Sequence, residues 1–294
     1  MKFRPLVAAF AVSLLAACSG GVLDAQGPVA AADRQMMLNA LAIMLAIVVP
    51  TIATALGFAW WFRASNGRAR RQPHFVYSGA VELIVWSIPI LVILFLSGVI
   101  WIGSHQLDPY RPLPSKAKPL ELEVVSLDWK WLFIYPDERV ASVNQLVVPV
   151  GVPLHFSLTS ASVMNSFFVP QLGSMIATMN GMVTQLNLQA DRAGDYYGLS
   201  TQFSGDGFSD MHFTVHAVSA SDFAQWLNRA RSAGPALDRA AYAALARESE
   251  NVRPLTYRAV DPGLFHAVAT NEIASQGGPR TGRGGADVHP RPQR

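Results

Sequence analysis

The chain has 294 residues, of which 51% are hydrophobic and only 15% charged, with a net charge of +3 and a single cysteine, Cys18. That is too apolar for an ordinary soluble domain and carries no block of basic residues for nucleic acid, so membrane spans joined to a globular part are expected. One cysteine excludes an intramolecular disulfide, a four-cysteine zinc site and a two-thiolate copper site.

Residues 1–17 read as a signal peptide. Lys2 and Arg4 precede an apolar run over 6–17 that is too short to span a membrane. The run ends Leu15-Ala16-Ala17-Cys18-Ser19-Gly20, which resembles a bacterial lipobox, whose cysteine becomes the lipidated first residue of the mature chain. The reading is lipidation at Cys18 and a periplasmic tether over 18–37, flexible because its small residues carry few structure signals. Ordinary cleavage, with Cys18 left as a free thiol, is the alternative.

Two uncharged runs follow, 38–62 and 83–102, each long enough to cross about 30 Å of hydrocarbon. Pro50, Gly57 and Pro89 lie inside them and are tolerated in spanning helices. Trp60, Trp61, Trp86 and Trp101 near their ends suit membrane interfaces. The expectation is a transmembrane helix hairpin over 38–103. Between the runs stand Arg63, Arg68, Arg70 and Arg71, with no acidic residue before Glu82. The positive-inside rule places that loop in the cytoplasm, so the N-terminus and the C-terminal domain lie in the periplasm of a two-span protein of the bacterial inner membrane. Glu82 then sits at the cytoplasmic mouth of the second span, as a functional carboxylate or as one resting in headgroups and water.

A proline-rich linker, 104–117, leads to a globular domain over 118–218 built from short β-like runs separated by turn residues, the signature of a β-sandwich. Beyond it, Ser219-x-x-Asp222 resembles a capping box ahead of Phe223, Trp226, Leu227 and Ala230 at helical spacing, and an Ala-rich stretch begins at Ala236. Residues 219–270 are expected to form a helical extension. Gly, Pro and Arg dominate 271–294, a tail expected to be disordered.

The richest stretch runs from Tyr196 to Val218. Met211, Phe213, Val215 and Ala217 alternate with His212, Thr214 and His216, which predicts a half-buried strand. The two histidines are about 13 Å apart on such a strand, too far to share one ion. Ahead of the strand, Ser200 and Ser204 stand four apart, and Gly205-Asp206-Gly207 favours a tight turn. Upstream lies Val163-Met164-Asn165-Ser166-Phe167-Phe168-Val169-Pro170.

This loop and this segment together resemble the binuclear copper site of subunit II of the haem–copper oxidases, over roughly residues 38–265. In copper-bearing relatives the loop supplies two cysteines four apart, a glutamate midway, then a histidine and a methionine, and a further histidine comes from the upstream segment. Here those positions hold Ser200 and Ser204, Gln202, Phe208, Met211 and Asn165. A thioether without thiolate or imidazole is a poor copper site. The pattern is therefore similar to the bo-type ubiquinol oxidase branch, which lacks this centre. The resemblance implies a cupredoxin-like Greek-key sandwich behind two transmembrane helices. It also implies no metal, no other cofactor and no catalytic residue in this chain. Haems and a copper would reside in a partner large subunit, subunit I, of a complex that oxidises ubiquinol, reduces oxygen and moves protons. Glu82 falls where the family has a glutamate near a proton-channel entrance of that partner. Trp129, within Ser126-Leu127-Asp128-Trp129-Lys130-Trp131, falls where copper-bearing relatives pass electrons to haem; without copper it is expected to be a packed aromatic at the interface with the large subunit. A copper-bearing electron carrier and an unrelated inner-membrane lipoprotein with a binding domain are the competing readings.

Overall fold

The computed structural model describes residues 21–278 apart from 71 and 73; the signal peptide, the Cys18 site, Arg71 and most of the expected tail lie outside the described residues. The chain divides into two units, one of residues 32–108 and one of the remainder.

The first unit is helical. Helix α1, Pro28–Trp61, and helix α2, Gly79–Gln106, are both long and apolar enough to cross a membrane. Their flanks present Leu, Ile, Val and Phe outward, the reverse of a soluble helix pair and the arrangement lipid favours. Gly103 is the buried residue of α2, and a side chain there would overlap the thioether of Met36, so a small residue lets the helices approach at that point. Helix α1 starts ten residues before the uncharged run. Pro28 has the φ of a first helical position, and the alanines after it favour helix, so the helix absorbs much of the expected tether.

The part of that tether before the helix is not free either. The N–H of Gln26 donates to the carbonyl of Gln171 (2.8 Å), and the N–H of Asp191 donates to the carbonyl of Gln26 (2.8 Å). Gln171 Nε2 donates to Asp24 Oδ2 (3.0 Å). Gly27 lies so close to the carbonyl of Gln189 that only glycine fits.

The second unit is a β-sandwich. One sheet takes strands β1 (Leu120–Leu127), β2 (Lys130–Tyr135), β3 (Val140–Val143), β5 (Pro153–Ser160), β8 (Thr184–Gln189) and β12 (Leu255–Tyr257), in the order β12-β3-β2-β1-β5-β8. The other takes β4 (Gln145–Pro149), β6 (Asn165–Phe168), β7 (Ile176–Thr178), β9 (Gly194–Ser200) and β10 (His212–Val218), in the order β4-β10-β9-β6-β7. The pairs β1·β5 and β10·β4 are parallel and the others antiparallel.

The predicted alternation of β10 is what closes the two sheets on each other. Phe213, Val215 and Ala217 point into the core with Met211 just ahead of them, while His212 faces out. Phe213 and Phe167 stack at 5.1 Å, and Trp131 and Phe133 of the opposite sheet meet Phe213 at 5.7 and 5.0 Å. Aromatic rings in these offset and edge contacts join the two sheets amid Leu and Val side chains of the same core.

The extension is less helical than its sequence suggests. Helix α3, Ala220–Ser232, begins as expected: Ser219 Oγ accepts the N–H of Asp222 at 3.1 Å. Phe223 and Trp226 lie over Tyr135. The Ala-rich stretch yields only helix α4, Arg239–Leu245, because Ala236–Leu237 (β11) pairs with Ala259–Val260 (β13). Strand β12 joins the edge of the first sheet beside β3, where Leu255 and Tyr257 suit a half-buried pleat. Helix α5, Leu264–Ala269, completes a second core in which Leu237, Tyr242, Tyr257, Leu264 and Val268 cover Val125, Leu127, Leu132, Ile134 and Val143.

Candidate functional site

The site lies where β6, the end of β9 and the start of β10 meet. Register places Ser200 opposite Phe167 of β6, and the N–H of Ser200 donates to the carbonyl of Met211 (3.1 Å), so the strands themselves bring Asn165, Ser200 and Met211 together. All three are buried. Ser200 Oγ donates to Asn165 Oδ1 at 3.3 Å, with the carbonyl of Gln202 a competing acceptor at 3.4 Å, and accepts the N–H of Ser166 at 3.4 Å. Asn165 Nδ2 donates to the carbonyl of Val163 (3.2 Å). The polar chain continues inward: Thr178 Oγ1 donates to the carbonyl of Asn165 (3.4 Å), and Thr178 and Ser126 share a hydroxyl–hydroxyl bond of 2.8 Å.

The remaining loop positions part company. Gln202 is exposed, apart from the buried Asn165, Ser200 and Met211. Phe208 lies on a 3₁₀ turn, Asp206–Asp210, in place of the expected tight turn; it is half-buried and packs on exposed Phe203 at 5.5 Å, so it does not fill the interior as an imidazole's replacement. Ser204 is buried, and its hydroxyl is one of two buried side-chain polar atoms without a hydrogen-bond partner among the described residues, the other being Trp131 Nε1. It is the carbonyl of Ser204 that is used, accepting Trp129 Nε1–H at 3.2 Å.

Trp129 requires a correction. Its side chain is 1% exposed and offers no surface to a partner. Its backbone turns at φ 61°, which swings the indole away from the β1–β2 sheet and under the loop, and Gly207 rests so closely on the ring that a Cβ would overlap it. The tryptophan is a pin for the loop within its own domain.

The sequence reading passed over its two neighbours. Lys130 is wholly buried, and its ammonium donates to the carbonyls of Asp128 (3.1 Å) and Arg247 (2.8 Å) and to Ser249 Oγ (2.6 Å). Burial pulls its pKa down to about 8, and the charges of Asp128 and Glu248 oppose that. Burial likewise raises the pKa of Asp128, partly offset by a short hydrogen bond from Ser162. Asp128, Trp129 and Lys130 thus tie the loop on one side to the C-terminal extension on the other. A charged residue inside an apolar strand start was the available signal, since lysine is seldom buried without partners.

Of the two strand histidines, His216 Nδ1 pairs with Asp195 Oδ1 at 2.7 Å and His212 packs beside Tyr197. Among the described residues no group of three or more His, Cys, Asp or Glu is placed to hold a metal ion. What Asn165, Ser200, Ser204 and Met211 present is two hydroxyls, an amide and a thioether, without thiolate or imidazole.

Residues 121–218 match the family model of the cytochrome c oxidase subunit II periplasmic domain, and residues 231–271 match that of the COX aromatic-rich motif. The chain is 48% identical over 258 residues to ubiquinol oxidase subunit 2 of Acetobacter aceti, covering 87% of this chain and 83% of that one. It is 42% identical over 257 residues to cytochrome bo(3) ubiquinol oxidase subunit 2 of Pseudomonas aeruginosa, covering 87% and 78%. Among solved structures, the periplasmic domain of subunit II of cytochrome oxidase (CoxB) of Bradyrhizobium japonicum is similar, with 25% identity, 41% of this chain and 98% of that one covered, and a TM-score of 0.38.

Proposed function

The chain belongs to the subunit II family of ubiquinol oxidases, and from that premise we propose that it anchors and braces a haem-bearing large subunit, itself holding no redox centre. The complex it serves is an oxidoreductase. Haems and a copper belong to the large subunit, which oxidises ubiquinol and reduces oxygen to water while protons cross the membrane. The two spans fix the chain in the inner membrane with the sandwich in the periplasm, and an acyl chain on Cys18 adds a second, weaker attachment.

The observation that carries the reading is a retained scaffold with exchanged donors. The strands still bring the upstream position, Asn165, against the loop positions Ser200 and Met211, yet the donors are an amide and a hydroxyl where copper-bearing relatives have imidazole and thiolate. Such a domain has no means of accepting an electron, so electrons enter the complex from quinol directly. The purified complex should oxidise ubiquinol, fail to oxidise reduced cytochrome c, and contain no copper beyond that of its large subunit. Copper bound to this subunit together with cytochrome c turnover would overturn the reading.

Glu82 supports a second role. It stands exposed in the first turn of α2, its N–H on the Ser78 carbonyl (3.0 Å) and its carboxylate with no hydrogen-bond or ion-pair partner among the described residues. A carboxylate at that edge raises the local proton supply to a neighbouring uptake path. Glu82→Gln should slow quinol turnover while the complex still assembles; turnover equal to the parent across a broad pH range would remove Glu82 from proton uptake.

A further inference from the structure

The end of α1 and the turn after it carry a basic, aromatic surface that the oxidase reading does not use. Trp60, Trp61 and Phe62 are exposed at the end of the helix. Beyond them the chain folds back rather than running out. The N–H of Asn66 donates to the carbonyl of Arg63 (2.9 Å), and that of Ala69 to the carbonyl of Asn66 (3.3 Å). Polar side chains cap the open carbonyls of the helix: Arg63 Nη1 donates to Trp60 O (2.9 Å) and Asn66 Nδ2 donates to Trp61 O (2.6 Å). The Arg63 guanidinium also lies 4.8 Å from the Trp60 ring centre, and its Nε donates to Ser65 Oγ (3.1 Å).

Arg63 is therefore spent on the helix end. Arg68 and Arg70 are not: both are exposed and neither side chain has a hydrogen-bond or ion-pair partner among the described residues, Arg68 being held only through its N–H on Asn66 Oδ1 (3.2 Å). No acidic residue occurs between Asp33 and Glu82 to neutralise them. Two free guanidinium groups thus follow an aromatic belt by a few residues, at the depth where phosphodiester headgroups lie. Guanidinium donors match phosphate oxygens in pairs, and an anionic headgroup supplies the missing negative charge.

From this we infer that residues 60–70 form a binding site for an anionic phospholipid, with Arg68 and Arg70 on its phosphate and Trp60 and Trp61 beside its glycerol and upper acyl chain. The inference rests on the membrane placement proposed above. It differs from general loop positivity in naming the two cations that, among the described residues, are left over once the helix end is capped.

The test uses the intact oxidase, as parent and as the double variant Arg68→Gln/Arg70→Gln, in nanodiscs of phosphatidylcholine alone or mixed with phosphatidylglycerol. Phosphatidylglycerol kept per haem after a detergent wash is read by mass spectrometry, and quinol turnover is measured on the same preparations. The parent should retain phosphatidylglycerol over phosphatidylcholine, and the variant should lose that preference by roughly thirtyfold, as expected for two cations near an anionic surface. Equal retention by parent and variant overturns the inference. So does a variant that keeps its phosphatidylglycerol but sheds another subunit, because the arginines would then serve a protein partner. A parent that turns over quinol without preferring phosphatidylglycerol sinks the lipid site alone; one that prefers phosphatidylglycerol without quinol turnover sinks the oxidase reading alone.

Discussion

The sandwich has two ends that meet at one turn, and they are built to different standards. At the loop end, Ser200 Oγ donates to Asn165 at 3.3 Å and accepts the N–H of Ser166 at 3.4 Å, and Ser204 buries a hydroxyl with no partner among the described residues. At the cap end, a lysine with no exposed surface makes three bonds of 2.6–3.1 Å, and the second core is formed by apolar side chains of sheet and extension together. The strands hold the loop's shape without help from its polar side chains. The cap has a slighter scaffold: β12 pairs with β3 and β11 with β13, but its helices are six and seven residues long and pack through side chains. Long, half-satisfied bonds are tolerable where the backbone ladder already fixes the position, and costlier where side chains carry more of the ties.

The sharpest way to break this contrast is to remove the tie of the cap. Lys130→Ala leaves two carbonyls and a hydroxyl without their donor and opens a cavity beneath the extension, at a cost of about 3–5 kcal/mol. Thermal unfolding of the variant should show the loss, and Lys130→Met, which keeps the volume, should lose less. The same contrast bears on a soluble fragment. A piece ending at Arg231 looks sufficient from the strand pattern, but it would strip Leu237, Tyr242, Tyr257 and Leu264 from the second core and β12 from its sheet, so a folded fragment must extend through α5.

A smaller effect is set by pH at the rim of the cap. Glu123 on β1 lines a cavity of about 80 Å³ with Ile134, Arg139, Asp261 and Pro262, and burial lifts its pKa to about 7. The folded chain therefore binds this proton more tightly than the unfolded chain, whose value is 4.5. The stabilisation is complete below pH 4.5 and is lost as pH rises through 7. Glu123→Gln should accordingly exceed the parent in stability at pH 8, by about 1–2 kcal/mol after allowing for solvent in the cleft. The gap should close by pH 4, and a gap independent of pH would show that the carboxylate is already paired.

These two ends also differ in how far they could be read beforehand. The alternation over Met211–Ala217 and the spacing of Ser200, Ser204 and Asn165 were visible in the chain, because period-two burial and a copied loop length both survive the exchange of side chains. The seating of Trp129 was not, since it depends on a positive φ that no local signal announces at a tryptophan. Nor were two of the three partners of Lys130, Arg247 and Ser249, which lie more than a hundred positions away. The tether before α1 was misjudged for the same reason: Asp24, Gln26 and Gly27 are fixed by Gln171, Gln189 and Asp191, and small polar residues look free until their partners are known.

The least costly changes lie at the loop end and should differ in sign. Ser200→Ala removes a hydroxyl that both donates to Asn165 and accepts from Ser166, so a loss of about 0.5–1.5 kcal/mol is expected. Ser204→Ala removes a hydroxyl that has no partner, while the backbone carbonyl that receives Trp129 Nε1–H is untouched. Burying an unsatisfied hydroxyl is unfavourable, so its deletion should be neutral or stabilising by up to about 1 kcal/mol. Thermal unfolding of the two variants side by side separates the cases. A destabilised Ser204→Ala would mean that the hydroxyl does have a partner, and that the loop end is held as tightly as the cap.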